Sequence, residues 1–330
     1  MTWLVTGGAG FLGVHLLRRL VGEGTRARSL DLVRGVPTGV QERLGDVGDV
    51  SALREVLVDV DVVVHAAAAL PSGGDVDATN VAATALLARE ARDAGVQRSI
   101  LVSSGVVYGP GRLSLRESDE PRPIEDYGRS KLAAEREWLA TAPAPIVLRP
   151  AAFLGPERLG VFGILFHWIT EGRRIYVIGD GSNRYQLLDV DDLVAAIVLA
   201  AEAGMDGVVN VGGTVTGSIR EDLEALIAHA GTGSRVVGIP ARPARAALTV
   251  LAAVRLSPLT TWHIQSAGRD FVLDCTRAAE TLGWKPARSG ADALERAYDW
   301  FLAEGAHRPV GTTHRSAWRE RGLAALRRLS

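Results

Sequence analysis

A tyrosine and a lysine four residues apart, in the run Tyr127-Gly128-Arg129-Ser130-Lys131, are the first candidates for chemistry in this chain. The helical pattern continues through Glu135 and Leu139, and residues four apart share one face of a helix. A free phenol titrates near ~10, too high for a base at neutral pH. A neighbouring ammonium favours the phenolate and brings that proton into use. Taken alone, the spacing also describes an ordinary solvated helix face. Upstream, Val102-Ser103-Ser104 closes a β-branched run. That places two hydroxyls at the carboxyl edge of a sheet, where open α/β sheets bind ligands.

The elements that must position these groups follow from periodicity. Short β-branched runs at 3–6, 28–32, 61–65, 99–103 and 145–149 alternate with helical patterns at 11–21, 51–57, 77–94 and 126–140. Continuous apolar strands between amphipathic helices predict a parallel sheet covered on both faces. The fold class is therefore α/β, a Rossmann-type doubly wound parallel sheet. After Pro150 the order is less regular. We read residues 1–150 as a dinucleotide-binding domain and 151–304 as a smaller mixed α/β substrate lobe with returns to the first sheet. Residues 305–330, with six arginines and one glutamate, read as a basic tail helix.

Between the first strand and helix stands Thr6-Gly7-Gly8-Ala9-Gly10-Phe11-Leu12-Gly13. Gly7 permits the tight turn, Gly10 lets the backbone approach a pyrophosphate, and Gly13 lets helix and strand pack closely. The unpaired N–H groups at the helix start, Phe11 and Leu12 among them, then face the phosphates. Asp31 ends the second strand, eighteen residues after Gly13. A carboxylate there accepts both ribose hydroxyls and repels a 2′-phosphate, so NAD is expected rather than NADP, although Arg34 stands close by. Asp46 and Val47, after another short strand, are candidates for the adenine edge.

Composition narrows the class. Hydrophobic residues at 47% and charged residues at 23% describe a globular chain, and a net charge of −1 gives no reason to expect nucleic acid. Cys275 is the only cysteine, which excludes an internal disulfide and a cysteine-based metal site, and no metal is expected. The start lacks a signal-peptide pattern and no apolar run is long enough to span a bilayer. A cytoplasmic enzyme without an integral membrane segment is expected.

In order, TGGAGFLG, Asp31, HAAA (65–68), Asn80, SSGVVYG, YGRSK and LRP (148–150) resemble the motifs of the extended short-chain dehydrogenase/reductases, the NAD-dependent epimerase/dehydratase family. The similarity runs to LGWKP (282–286) near the carboxyl end. The resemblance implies Ser104 as the serine that hydrogen-bonds the substrate oxygen and Tyr127 as the acid/base. It implies Lys131 on the cofactor ribose, with a hydride passing between substrate carbon and nicotinamide. It adds Ala66, Ala67, Asn80 and Pro150, with Tyr127 and Lys131, to the cofactor site. Ser103 is expected to be structural. A homodimer through the helices at 77–94 and 126–140 is expected as in many relatives.

Departures from the family pattern bear on the substrate. Sugar 4,6-dehydratases carry an Asp-Glu pair after the serine position, where this chain has Gly105 and Val106, and family decarboxylases use an acid at Val106. Both activities are disfavoured. Nucleotide-sugar 4-epimerases place an Asn at Ala152 and a diphosphate-binding Arg at Tyr185, with Arg184 one residue earlier here. LRPAAFLGP (148–156) resembles hydroxysteroid- and ketoreductase-like members instead. Leu70, Phe153, Phe162, Phe166 and Trp168 are candidates for an apolar pocket, although any single one of them reads more readily as ordinary core. The expected substrate is a small molecule, an apolar ring alcohol or ketone or else a nucleotide sugar. It would lie against Leu70, Gly105, Val106, Phe153, Arg184 and Tyr185. Net oxidoreduction is favoured over epimerisation, and a cofactor-binding sensor without turnover is a third, weaker reading.

Overall fold

The computed structural model describes residues 1–69, 78–253, 259–307 and Arg315. Leu70 and all of the basic tail after His307 except Arg315 lie outside the described residues. The first half runs β1 (Thr2–Thr6), α1 (Phe11–Gly22), β2 (Arg26–Asp31), β3 (Gln41–Leu44), α2 (Val50–Val56) and β4 (Val62–His65). It continues with α3 (Ala83–Asp93), β5 (Arg98–Val102), β6 (Arg112–Leu115), α4 (Asp126–Thr141) and β7 (Pro145–Pro150). The second half holds β8 (Ala152–Leu154), α5 (Val161–Thr170), β9 (Arg174–Ile178), β10 (Leu187–Asp189), α6 (Val190–Glu202) and β11 (Gly207–Val211). The remaining elements are α7 (Ile219–Ala230), β12 (Arg235–Ile239), α8 (Ala241–Ala253), α9 (Thr261–Ser266), β13 (Phe271–Leu273), α10 (Thr276–Leu282) and α11 (Gly290–Ala303).

Seven strands form one sheet in the order β11-β7-β5-β4-β1-β2-β3, every pair parallel. The chain leaves β1 in one direction and β4 in the other, which opens a crevice at the carboxyl ends of those two strands. β11 comes from the second half and extends the sheet beside β7. Both faces are covered. Leu16, Leu17 and Leu20 of α1 and Leu193 and Ile197 of α6 fill one side. Leu53, Leu87, Ala91 and Trp138 fill the other. A third core lies within the second half, around Phe166, Trp168, Leu226, Tyr298 and Phe301.

Two sequence readings are resolved here. The 77–94 pattern, read as one helix, contains a π-turn at Ala78–Ala82 before α3 begins. The wider turn lets the Asn80 side chain bond Ala69 and Ser130, and such π-turns recur at functional sites. Phe166 and Trp168, candidates for a pocket, are buried in the third core, because that lobe needs large side chains to fill its own interior.

LGWKP and the acidic start of α6 explain one another. Trp284 Nε1 donates to the Asp192 carbonyl at 2.9 Å, and the Asp192 carboxylate accepts the Ala287 and Arg288 amides at 3.1 Å. The late motif thus ties the end of the chain to the helix that packs on α1.

Candidate functional site

The Gly-rich turn is built for close approach. A Cβ on Gly7, whose φ is +73°, would lie 2.7 Å from the Ala67 amide nitrogen, so this glycine lets the β1 and β4 ends nearly touch. A Cβ on Gly13 would stand 2.2 Å from the Gly7 carbonyl oxygen, and one on Gly10 3.0 Å from the same atom. Gly10 is the N-cap of α1 and no acidic residue occupies the first turn, which leaves the helix start open to an anion. The Asp31 carboxylate accepts the Ala9 amide at 3.0 Å and the Val33 amide at 3.2 Å, which fixes it beside the turn. Arg34 is paired with Glu42 at 3.0 Å. Asp46 accepts the Gly48 amide at 2.8 Å, and Val47 is buried in the core beneath α2. A cradle that no Cβ can enter, an open helix start and a fixed carboxylate at the next strand end fit a dinucleotide.

Ala66 and Ala67 follow β4 at the other wall of the crevice; the Ala66 amide donates to Thr6 at 3.2 Å. His65 just before them is sealed. Its ring is hydrogen-bonded to Thr6 Oγ1 at 2.6 Å and Thr84 Oγ1 at 2.8 Å, and burial, helped by Lys131, pushes it down to about 3.

Asn80 joins this wall to α4. Its side chain accepts the Ala69 amide at 2.8 Å and donates to Ser130 Oγ at 3.2 Å; Ser130 in turn donates to the Tyr127 carbonyl at 2.9 Å. Lys131 is buried and its Nζ donates to the Val102 carbonyl at 2.9 Å, the last residue of β5. Burial pushes the ammonium down to about 8 against the pull of Glu135. Burial likewise pushes the Tyr127 phenol up to about 12, opposed by Arg158 and reinforced by Glu125. Ser104 caps the turn Gly105–Tyr108, its hydroxyl accepting the Val106 amide at 3.3 Å. Tyr127 and Lys131 on α4, Ser104 after β5 and Pro150 ending β7 therefore all stand on elements that end at one edge of the sheet. Ser103 behaves differently: it is buried and donates to Glu135.

The other expected substrate residues divide. Phe153 stacks on Phe11 with centroids 5.8 Å apart. Gly105 is buried, with room for a Cβ only 3.1 Å from the Phe271 ring; Val106 is half-buried beside it. The Tyr185 hydroxyl accepts Trp262 Nε1 at 3.1 Å, and its ring lies 5.8 Å from Phe271. Arg184 is exposed, held by its backbone to Asp270 and Phe271.

Three features were not found from sequence. Arg149 is a buried cation between Glu135 and Tyr108, and the Tyr108 hydroxyl donates onward to Asn210 at 3.0 Å. Arg158 lies against the Phe11 and Phe153 rings, its carbon 5.2 and 5.4 Å from their centroids. Arg315 reaches back to the Ala9 carbonyl at 3.0 Å and to the Glu157 carboxylate. None of these arginines belongs to a periodic pattern, so only the arginine in LRP carried any signal.

Among the described residues no group of metal-ligating side chains could hold an ion, and no helix is long and apolar enough to cross a membrane.

Residues 3–212 match the model of the NAD dependent epimerase/dehydratase family. The chain belongs to that family. NAD is the family's cofactor and fits the cradle described above. Relatives include a UDP-glucose 4-epimerase of Mycolicibacterium smegmatis, 31% identical, covering 91% of this chain and 98% of the relative. A Stigmatella aurantiaca enzyme described as 4-hydroxy-2-methyl-3-oxo-4-farnesyl-3,4-dihydroquinoline-1-oxide ketoreductase is also 31% identical, over 90% of this chain and 96% of its own. Among solved structures, MoeE5 in complex with UDP-glucose and NAD superposes with a TM-score of 0.74 at 28% identity, covering 92% of this chain and 99% of that one. The protein is thus an epimerase/dehydratase-family oxidoreductase with a Rossmann-type fold.

Proposed function

We propose that this family member carries out net oxidoreduction of a secondary alcohol or ketone whose body is apolar. Tyr127 exchanges the proton of the substrate oxygen and Ser104 donates a hydrogen bond to that oxygen. Lys131, with donors left over from its bond to Val102, holds the cofactor ribose. When bound, NAD supplies the hydride acceptor, and its reduced form the donor.

The observation that carries this reading is that Tyr185 packs into an apolar cluster with the core residues Trp262 and Phe271. The Trp262 and Phe271 rings meet edge to face at 5.1 Å, and Tyr185 hydrogen-bonds Trp262 where the family's sugar epimerases carry a diphosphate-binding arginine. Together with Ala152 in place of asparagine, that cluster favours a ring or chain of carbon over a nucleotide diphosphate. The ketoreductase relative supports the same class.

A second reading, nucleotide-sugar 4-epimerisation with tightly held NAD, is favoured by the MoeE5 structure, whose ligands are UDP-glucose and NAD. The two readings differ in net cofactor change. Purified protein mixed with NAD and a panel of apolar secondary alcohols is expected to produce NADH. Interconversion of UDP-glucose and UDP-galactose with no NADH formed from any alcohol would overturn the first reading in favour of the second.

A further inference from the structure

Arg315 connects the basic carboxyl-terminal stretch to the Gly-rich turn. Its Nη1 donates to the Ala9 carbonyl at 3.0 Å and its Nη2 to the Glu157 carboxylate, with the side chain 24% exposed. Ala9 is buried in the middle of the turn, and the Asp31 carboxylate accepts its amide at 3.0 Å. The residue is thus held from β2 through its N–H and from position 315 through its carbonyl. The Ala9 carbonyl shares one peptide plane with the Gly10 N–H, which donates to the Gly7 carbonyl at 3.1 Å. Gly10 is the N-cap of α1, so the tilt of that plane sets how the helix start is presented to an anion.

The other end of the bridge is also fixed. Phe11, His15 and Arg18 share one face of α1, and residues 153–157 lie along it. Phe153 stacks on Phe11, His15 Nε2 is hydrogen-bonded to the Pro156 carbonyl at 3.0 Å, and Arg18 pairs with Glu157. Glu157 is buried with a φ of +69°, a left-handed backbone that a non-glycine residue keeps only where its surroundings impose it. A guanidinium is a donor-only fork, suited to two acceptors at once. Arg315 takes a carbonyl and a carboxylate, whereas a phosphate takes N–H groups. Arg315 and a cofactor phosphate therefore do not compete for the same atom of the turn.

We propose that Arg315 is a positioning residue for the dinucleotide, clamping the Ala9–Gly10 peptide against the Glu157 wall and slowing the release of the cofactor. The clamp serves oxidoreduction and epimerisation alike, since either reaction needs the cofactor held.

The test follows release of NADH from the full-length protein, by the fluorescence of the bound cofactor after mixing with excess NAD. It compares the wild type with Arg315→Met, Arg315→Lys, Arg18→Met and Gly13→Ala. Arg315→Met is expected to speed release about tenfold, and Arg18→Met, which loosens Glu157 but spares the Ala9 bond, by less than about twofold. Arg315→Lys, a single point of charge without the fork, should restore part of the loss. Arg315→Gln replaces the methionine variant if that does not fold. Melting temperatures with and without NADH are read alongside. An equal drop in both with unchanged release would make Arg315 merely structural and overturns the proposal. Slower release, the behaviour of a plug in the site, overturns it too, as does equal acceleration by Arg18→Met, which would put control in the Glu157 wall. Faster release in Gly13→Ala alone sinks the role of Arg315, while no effect of either variant sinks the turn as the cofactor site as well.

Discussion

Arg149 holds Glu135 at three points, from Nε at 3.0 and 3.1 Å and from Nη2 at 2.6 Å, with both side chains almost wholly buried. The pair joins β7 to α4, the helix that carries Tyr127 and Lys131. Through Ser103 it also grips the end of β5, and through Tyr108 and Asn210 the edge strand β11. It is the brace behind α4. Removing one member leaves the other as an unpaired buried charge, which costs about 3–5 kcal/mol. Glu135→Ala is therefore expected to lower the free energy of unfolding by about that amount, measured by urea denaturation. The double change Glu135→Leu with Arg149→Met should recover much of the loss.

The Gly-rich turn gives a steric prediction. Gly13→Ala would put a Cβ 2.2 Å from the Gly7 oxygen and 2.6 Å from Gly8 Cα, both backbone atoms that cannot swing aside. Gly10→Ala meets one atom at 3.0 Å. Calorimetric NAD affinity is expected to fall at least about tenfold, or about 1.4 kcal/mol, for Gly13→Ala. The loss for Gly10→Ala should be smaller.

We propose that Asp31 sets the choice between NAD and NADP. Arg34, the cation that follows β2, is paired with Glu42. Asp31→Ser should shift the ratio of NAD to NADP affinity toward NADP by about tenfold or more, read from paired binding titrations. An unchanged ratio would remove Asp31 from the ribose site.

His65 makes the fold acid-sensitive. Its folded value of about 3 lies below the ordinary 6.5, so between those values the unfolded chain holds a proton that the folded one does not. Stability is fully present above pH 6.5 and is lost as the pH falls toward 3, with a slope of at most about 1.4 kcal/mol per unit from this group. Melting temperatures from pH 7.5 down to 5 should fall more steeply in the wild type than in His65→Asn. Parallel curves would contradict the assignment.

Much of this was legible in sequence because it is local. The β1–α1 turn, Asp31 and the Tyr127–Lys131 spacing each sit within one strand–turn–helix unit, where periodicity and glycine placement determine geometry. What stayed hidden is what the fold brings together from afar. Arg149 and Tyr108 are 41 positions apart, and Arg315 and Ala9 are 306 apart. Arg158 stands out only once Phe11 and Phe153 are brought against it. Phe166 and Trp168 are open between pocket and core on sequence alone, with core favoured for each, since an aromatic stripe on a helix reads the same whether it faces ligand or core.

The central claim is that Tyr127 moves the proton that accompanies hydride transfer. The most direct measurement is the absorbance of reduced nicotinamide during a single turnover of NAD-bound protein mixed with an oxidisable secondary alcohol, for the wild type and Tyr127→Phe at matched occupancy. A rise in the wild type and a rate at least about a hundredfold lower in the variant are expected; equal rates in the two proteins would contradict the account.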